Sequence, residues 1–143
     1  MFYKHLTSEE RLRAWRLCRQ KNYSSAEELL EQFADVKPIP RYLDYYTPAE
    51  WPNVFEIVSE GYFCQSGLTL VIAATLYKHG FITSENLQFD VISNHINGNE
   101  GLVLVDNEKV YNFYPDSIIS VSNMLENSTK FLTHVVPSEQ LFR

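Results

Sequence analysis

Apolar residues recur at helical spacing through the first third of the chain, after short polar stretches that are typical of helix starts. Thr7 and Glu10 form a capping box, in which each side chain can bond to the other residue's amide. They predict a helix over about 8–20, and a second box of the same kind predicts a helix over about 26–36. The chain therefore begins with two amphipathic helices.

Prolines interrupt this pattern in KPIPRYLDYYTP, residues 37–48. The three prolines there predict an extended connector, because each one fixes φ and removes an amide donor. Asn53 and Glu56 provide another helix start, and Gly61 marks its end. A short helix over about 53–60 is therefore expected after the connector.

The longest apolar run, from Leu68 to Leu76, places apolar side chains on nearly every face of a helix. It predicts a helix over about 65–78 that is buried on all sides. Gly80 follows, and glycine there can adopt the left-handed conformation that ends a helix. The run is far shorter than the roughly 20 apolar residues that cross a bilayer, so no membrane association is expected.

The pattern changes to that of strands after Gly80. β-Branched and aromatic residues predict a strand over 87–93, a hairpin of strands over 102–105 and 109–113, and a last strand over 130–136. A short helix is expected over 123–126, before the last of these strands.

Helices that precede a run of antiparallel strands define an α+β fold. We expect a single domain over residues 1–143, a length that can bury a sizeable core. Residues 1–60 form its helical part, and residues 61–143 supply the buried helix and a mostly antiparallel sheet.

The candidate chemistry centres on Cys64, which directly precedes the buried helix. The amides and the dipole at a helix N-terminus favour a thiolate, which is the nucleophilic form of cysteine. A cysteine mechanism also needs a base and a group that orients it. His95 is the candidate base, and Asn112, Asp106 and Asp90 are candidates for the orienting group.

The order of these residues resembles the papain-like superfamily in its transglutaminase-like form. The shared order over residues 58–116 is a cysteine at a buried helix start, a helix ending at glycine, a strand, a histidine and a strand reading VYNFYP. The resemblance implies a papain-like core with Cys64 as nucleophile, His95 as base and Asn112 as orienting residue. In that family the histidine begins the strand itself, whereas His95 stands a few residues earlier.

Two functions follow from these features. One is a small papain-like cysteine hydrolase or acyl-transferring enzyme, or a degenerate member that keeps the scaffold without the chemistry. The other is a non-catalytic accessory module that binds a protein through the basic helix at 11–21 and the aromatic connector at 42–51. The candidate partner-binding residues are Arg11, Arg13, Trp15 and Arg16.

Composition and short motifs bear on the expected partner, location, cofactor and metal. The net charge of −6 argues against nucleic acid as a partner and leaves another protein as the expected one. The two cysteines cannot form a disulfide framework, and the N-terminus lacks an apolar signal region, so a cytoplasmic location is expected. No cofactor motif is present, and the histidines and cysteines lack metal-ligand spacing, so neither a cofactor nor a metal is expected.

Overall fold

A computed structural model describes residues 1–2, 5–40 and 43–143. It contains five α-helices and five strands within these ranges. The helices are α1 (Ser8–Gln20), α2 (Ala26–Leu30), α3 (Val54–Glu60), α4 (Gln65–Lys78) and α5 (Val121–Glu126). The strands are β1 (Asn86–Asn94), β2 (Glu100–Asp106), β3 (Lys109–Tyr114), β4 (Ser117–Ser120) and β5 (Ser128–Pro137). Short 3-10 helices occupy Glu31–Phe33, Pro48–Glu50 and Ser138–Phe142.

The five strands form one sheet in the order β4-β3-β2-β1-β5, and every neighbouring pair is antiparallel. Strands β1 to β4 follow one another through hairpins, while β5 returns to pair with β1. The α+β class expected from the sequence is therefore confirmed. Within the described residues, no helix is both long and apolar enough to cross a membrane.

Helix α4 is the centre of the fold. Every residue from Ser66 to Leu76 is buried, as the all-round apolar pattern predicts. The helix has the predicted bounds, and Gly80 beyond it adopts a left-handed φ of 78°. Its side chains join those of α1 to α3 and of one sheet face in a single apolar core.

The opposite sheet face carries a second, smaller apolar cluster. Helix α5 covers it by burying Met124 against Ile92, Val103, Val110 and Phe113. The sequence predicts this helix in part, over 123–126, whereas strand β4 is not predicted at all. Four residues with only two isoleucines give β4 too little alternation to stand out.

Helix α2 is shorter than the predicted helix at 26–36. It changes to a 3-10 turn that ends at Phe33. Beyond Leu30 the amides of Ala34 and Val36 bond three residues back, to the carbonyls of Glu31 and Phe33, which is the tighter 3-10 pattern in place of the α-helical one.

The ladder between β2 and β3 is also short. It runs from Leu104 with Tyr111 to Asp106 with Lys109. Asn112 then has a φ of 66°, the left-handed value that few side chains adopt, and the register of β3 against β4 shifts at this point. This irregularity ends the β2–β3 ladder next to the start of α4.

Candidate functional site

A cavity of about 620 Å³ lies in front of the N-terminus of α4. One wall comes from the connector at 36–40, and the opposite wall comes from the loop at 94–99 between β1 and β2. The ends of β2 and β3 close the space between them. The polar side chains that line it are Cys64, Gln65, Ser66, Asn94, Asn97, Asn99, Glu100 and Asn112.

Cys64 is the N-cap residue of α4 and lines this cavity. Its Sγ accepts a hydrogen bond from the Gly67 amide at 3.3 Å, in the way that a serine hydroxyl caps other helices. The residue is only 2% exposed, so very little of its surface is accessible from the cavity that it lines. The position expected from the sequence, at the start of a buried helix, is therefore the one found.

Side chains from the first turns of α4 bond to the main chain of β2 where β3 no longer pairs with it. The Ser66 hydroxyl accepts from the Leu102 amide at 3.0 Å. The Leu102 carbonyl accepts from Gln65 Nε2 and from Thr69 Oγ1, both at 2.9 Å. Three polar side chains therefore satisfy a strand backbone that would otherwise be buried without partners.

Gly101 allows this close approach of helix and strand. A Cβ at this position would lie 2.0 Å from Gln65 Oε1 and 3.1 Å from Ser66 Oγ. The Gln65 side chain therefore occupies the space that a side chain at the start of β2 would need.

Asn112 lines the same cavity as Cys64. Its Nδ2 donates to Thr69 Oγ1 at 2.8 Å and to the Gln65 carbonyl at 3.3 Å. The main-chain carbonyl of Asn112 accepts a hydrogen bond from Gln65 Nε2 at 3.3 Å. The Asn112 amide thus fixes α4 on the sheet, and both of its donated bonds go to that helix.

His95 does not join them. It is an exposed residue at the end of β1, where its Nε2 lies 2.8 Å from Thr129 Oγ1 and its amide donates to the Asn127 carbonyl. It is not among the described residues that line the cavity. The structure therefore places Cys64 and Asn112 on one cavity, while His95 is not among the described residues that line it.

The other candidates for the orienting group also lie elsewhere. Asp90 is buried against β5, where it accepts from Thr133 and lies 3.5 Å from the Lys130 ammonium. Asp106 ends the β2–β3 ladder opposite Lys109, away from the start of α4. Neither is among the described lining residues of the cavity.

Two of the predicted partner-binding residues have internal roles, which corrects the sequence-based expectation. The Arg11 guanidinium donates to the carbonyls of Val58 and Ser59 and so joins α1 to the end of α3. Trp15 is fully buried, and its Nε1 donates to Thr75 Oγ1 at 3.0 Å. A residue with no exposed surface cannot anchor a partner. Arg13 and Arg16 are exposed on α1.

The aromatic connector at 42–51 also contains both buried and exposed residues. Tyr45 is buried and lines the cavity, whereas Tyr46 is 44% exposed and its hydroxyl donates to Glu100. Trp51 Nε1 donates to the Asp44 carbonyl. Tyr42, the first residue of the connector, lies outside the described residues.

Gln65, Ser66 and Thr69 were not predicted from the sequence as site residues. The available signal is that three polar residues occupy one side of the first turns of an otherwise apolar helix. Polar side chains in a buried helix need partners, which points to a contact with main-chain groups. Among the described residues, no group of three or more His, Cys, Asp or Glu side chains could hold a metal ion.

The fold and cavity define an α+β protein with a cysteine-capped central helix. No family model, no curated protein and no solved structure matches this chain at a significant level.

Substitution of Asn112 tests its role in holding α4 against the sheet. Asn112→Ala removes two buried hydrogen bonds and leaves a side chain at a φ of 66°, so we expect it to lower the free energy of unfolding by about 2–4 kcal/mol. Asn112→Gly loses the same bonds but tolerates the backbone, so its loss should be smaller by about 1 kcal/mol. Urea denaturation of both variants measures the difference. A glycine variant that is less stable than the alanine variant would contradict this account.

Proposed function

We propose that the protein is a non-catalytic binding module on a papain-like scaffold of the transglutaminase-like type, with its ligand in the cavity before Cys64. The observation that carries this proposal is the composition of the cavity. It holds Cys64 and Asn112 together, while His95 bonds to Thr129 elsewhere. The degenerate form of the enzyme scaffold fits this arrangement better than the active form.

Thiol catalysis needs a base near the sulfur to take up and return a proton. Among the described residues that line the cavity, the ionisable side chains are Tyr45, Cys64 and Glu100. None of these described lining residues is a histidine. The Glu100 carboxylate accepts from the Tyr46 hydroxyl. A thiol without an imidazole partner lacks the group that cysteine hydrolases and acyl-transferring enzymes use.

The start of β2 supports the same proposal. In the family that the chain resembles, a histidine begins this strand, and here β2 begins with Glu100 and Gly101. Glycine carries no side chain, and Gln65 fills the adjacent space. Gln65 bonds to the strand here, so an imidazole at Gly101 would have to displace its side chain.

The walls of the cavity favour an extended peptide as the ligand. One wall is rich in amide side chains, which can donate to and accept from a peptide backbone. The facing wall is apolar, with Val36, Pro38 and Ile39 available to contact apolar side chains. Such a combination of apolar surface and a few polar groups is typical of ligand sites. This ligand agrees with a protein as the partner.

An active cysteine enzyme is the second candidate. It is favoured by the position of Cys64 at the N-terminus of a 14-residue helix, facing a cavity that also contains Asn112. In this candidate His95 would have to reach the cavity when substrate binds. The two candidates differ in the reactivity of the thiol.

Alkylation by iodoacetamide at neutral pH separates them. We expect Cys64 to react no faster than N-acetylcysteine, because it is 2% exposed, bonded to the Gly67 amide and has no described histidine in its cavity. Cys18 is an internal reference, because burial raises the pKa of its thiol. Mass spectrometry of tryptic peptides measures both rates.

Cys64→Ser removes the Cys64 signal and serves as the assignment control. A Cys64 rate more than about tenfold above that of N-acetylcysteine would indicate an activated thiolate. If His95→Ala abolished this excess, the enzyme candidate would replace the binding module.

Peptide selection tests the binding function directly. We expect peptides selected from a random library on the wild-type protein to lose binding to Asn99→Trp, because an indole at this exposed cavity wall fills the space. Glu85→Trp adds the same side chain at an exposed position before β1, away from the cavity lining, and should bind them normally. Fluorescence anisotropy with the selected peptides gives both affinities. Equal affinities for the two variants would exclude the cavity as the binding site.

A further inference from the structure

A second concave surface lies between α1 and α3. This arginine groove has a volume of about 360 Å³ and is lined by Glu9, Leu12, Arg13, Arg16, Arg19 and Phe55. It shares no described lining residue with the cavity at Cys64. A ligand in the groove would therefore be independent of the function proposed for the cavity.

The three arginines lie in one row along α1, because residues three apart in a helix are neighbours. In the described part of the chain, none of the ion pairs involves Arg13, Arg16 or Arg19. Glu9 is the single acidic residue among the described lining residues. The groove is therefore a local concentration of positive charge on a chain whose net charge is −6.

Arg19 packs against aromatic rings. Its guanidinium carbon lies 4.1 Å from the centre of the Trp15 ring and 5.8 Å from that of Phe55. This stacking buries the Nε atom, which has no hydrogen-bond partner among the described residues. Burial also lowers the pKa of the Arg19 guanidinium, because desolvation disfavours its charged form. An arginine fixed in this way is prepared for an anion that the chain does not supply.

Apolar surface accompanies the charge. Phe55 is 38% exposed at the groove, and Leu17, one residue beyond Arg16 on α1, is 58% exposed. Arginine and aromatic residues together are typical of protein interfaces, and planar guanidinium groups match carboxylates in a bidentate geometry. An oligonucleotide fits less well, since Glu9 and the acidic chain oppose a run of phosphates.

We propose that the arginine groove docks an acidic segment of a partner protein, with carboxylates on Arg13, Arg16 and Arg19 and an apolar side chain against Leu12 and Phe55. This proposal keeps the basic-helix hypothesis but changes the residues that would contact the partner. Arg11 and Trp15 hold the fold together, whereas Arg19 and Phe55 enter the binding surface. The expected partner segment alternates acidic and apolar side chains, which complement the arginines and the apolar residues of the groove.

A fluorescent synthetic peptide in which glutamates flank one phenylalanine serves as the probe. We expect saturable binding in fluorescence anisotropy that weakens as salt is added, because the contacts are exposed ion pairs. Arg13→Glu with Arg16→Glu should lower the affinity at least about tenfold, since both residues are exposed and their reversal repels the peptide. Lys109→Glu with Arg143→Glu changes the net charge equally at exposed sites outside the groove and should leave the affinity unchanged.

Changes in the peptide test the contributions of charge and of apolar contact separately, and they leave the protein unaltered. A peptide with glutamine in place of glutamate should not bind, and one with glycine in place of phenylalanine should bind more weakly. Failure of the parent peptide to bind, or equal loss in both double variants, would overturn the proposal. Tighter binding of a single-stranded oligonucleotide than of the peptide would also overturn it. These outcomes are independent of thiol reactivity and of the Asn99→Trp test.

Discussion

The attachment of α4 to the main chain of Leu102 is the interaction on which the architecture depends. A strand of a sheet normally bonds to its neighbours through backbone groups on both sides. Here the β2–β3 ladder stops at Leu104, and Ser66, Gln65 and Thr69 bond to Leu102 in its place. The buried helix is thereby fixed to the sheet by directional bonds as well as by apolar packing. Such bonds specify one position of the helix, which apolar contact alone does not.

This attachment also determines what the cavity contains. Since the first turn of α4 lies against β2, Cys64 is held in the lining of the cavity. The same contact needs a residue without a side chain at Gly101 and fills the adjacent space with Gln65. The same bonds therefore fix α4 on the sheet and shape the cavity wall beside Gly101.

The sequence predicts local features of this fold well and distant ones poorly. The bounds of α1 and α4 follow from caps and apolar spacing, which are properties of neighbouring residues. A shared site for Cys64 and Asn112 is what the family resemblance implies, and both residues line the cavity. The position of His95 does not, because it depends on how β5 pairs with β1, including a register shift between Val91 and Ile92. A loop residue is placed by such long-range pairing, which periodicity does not encode.

The basic segment of α1 illustrates the same distinction. Its positive charge is evident from the sequence, but the different contacts that its arginines make are not. Arg11 bonds to the end of α3, while Arg13, Arg16 and Arg19 line a groove. This difference arises because α3 packs on one side of α1, a contact between segments more than 40 residues apart. Trp15 likewise reads as an anchor until its burial against α4 is known.

Amide hydrogen exchange at Leu102 tests the central claim most directly. The account predicts that this amide exchanges as slowly as amides that bond to a neighbouring strand, because the Ser66 hydroxyl accepts its hydrogen bond. It further predicts that Ser66→Ala accelerates exchange at Leu102 selectively, while the amide of Leu104 stays protected. Rapid exchange at Leu102 in the wild-type protein, or an equal effect of Ser66→Ala on both amides, would contradict it.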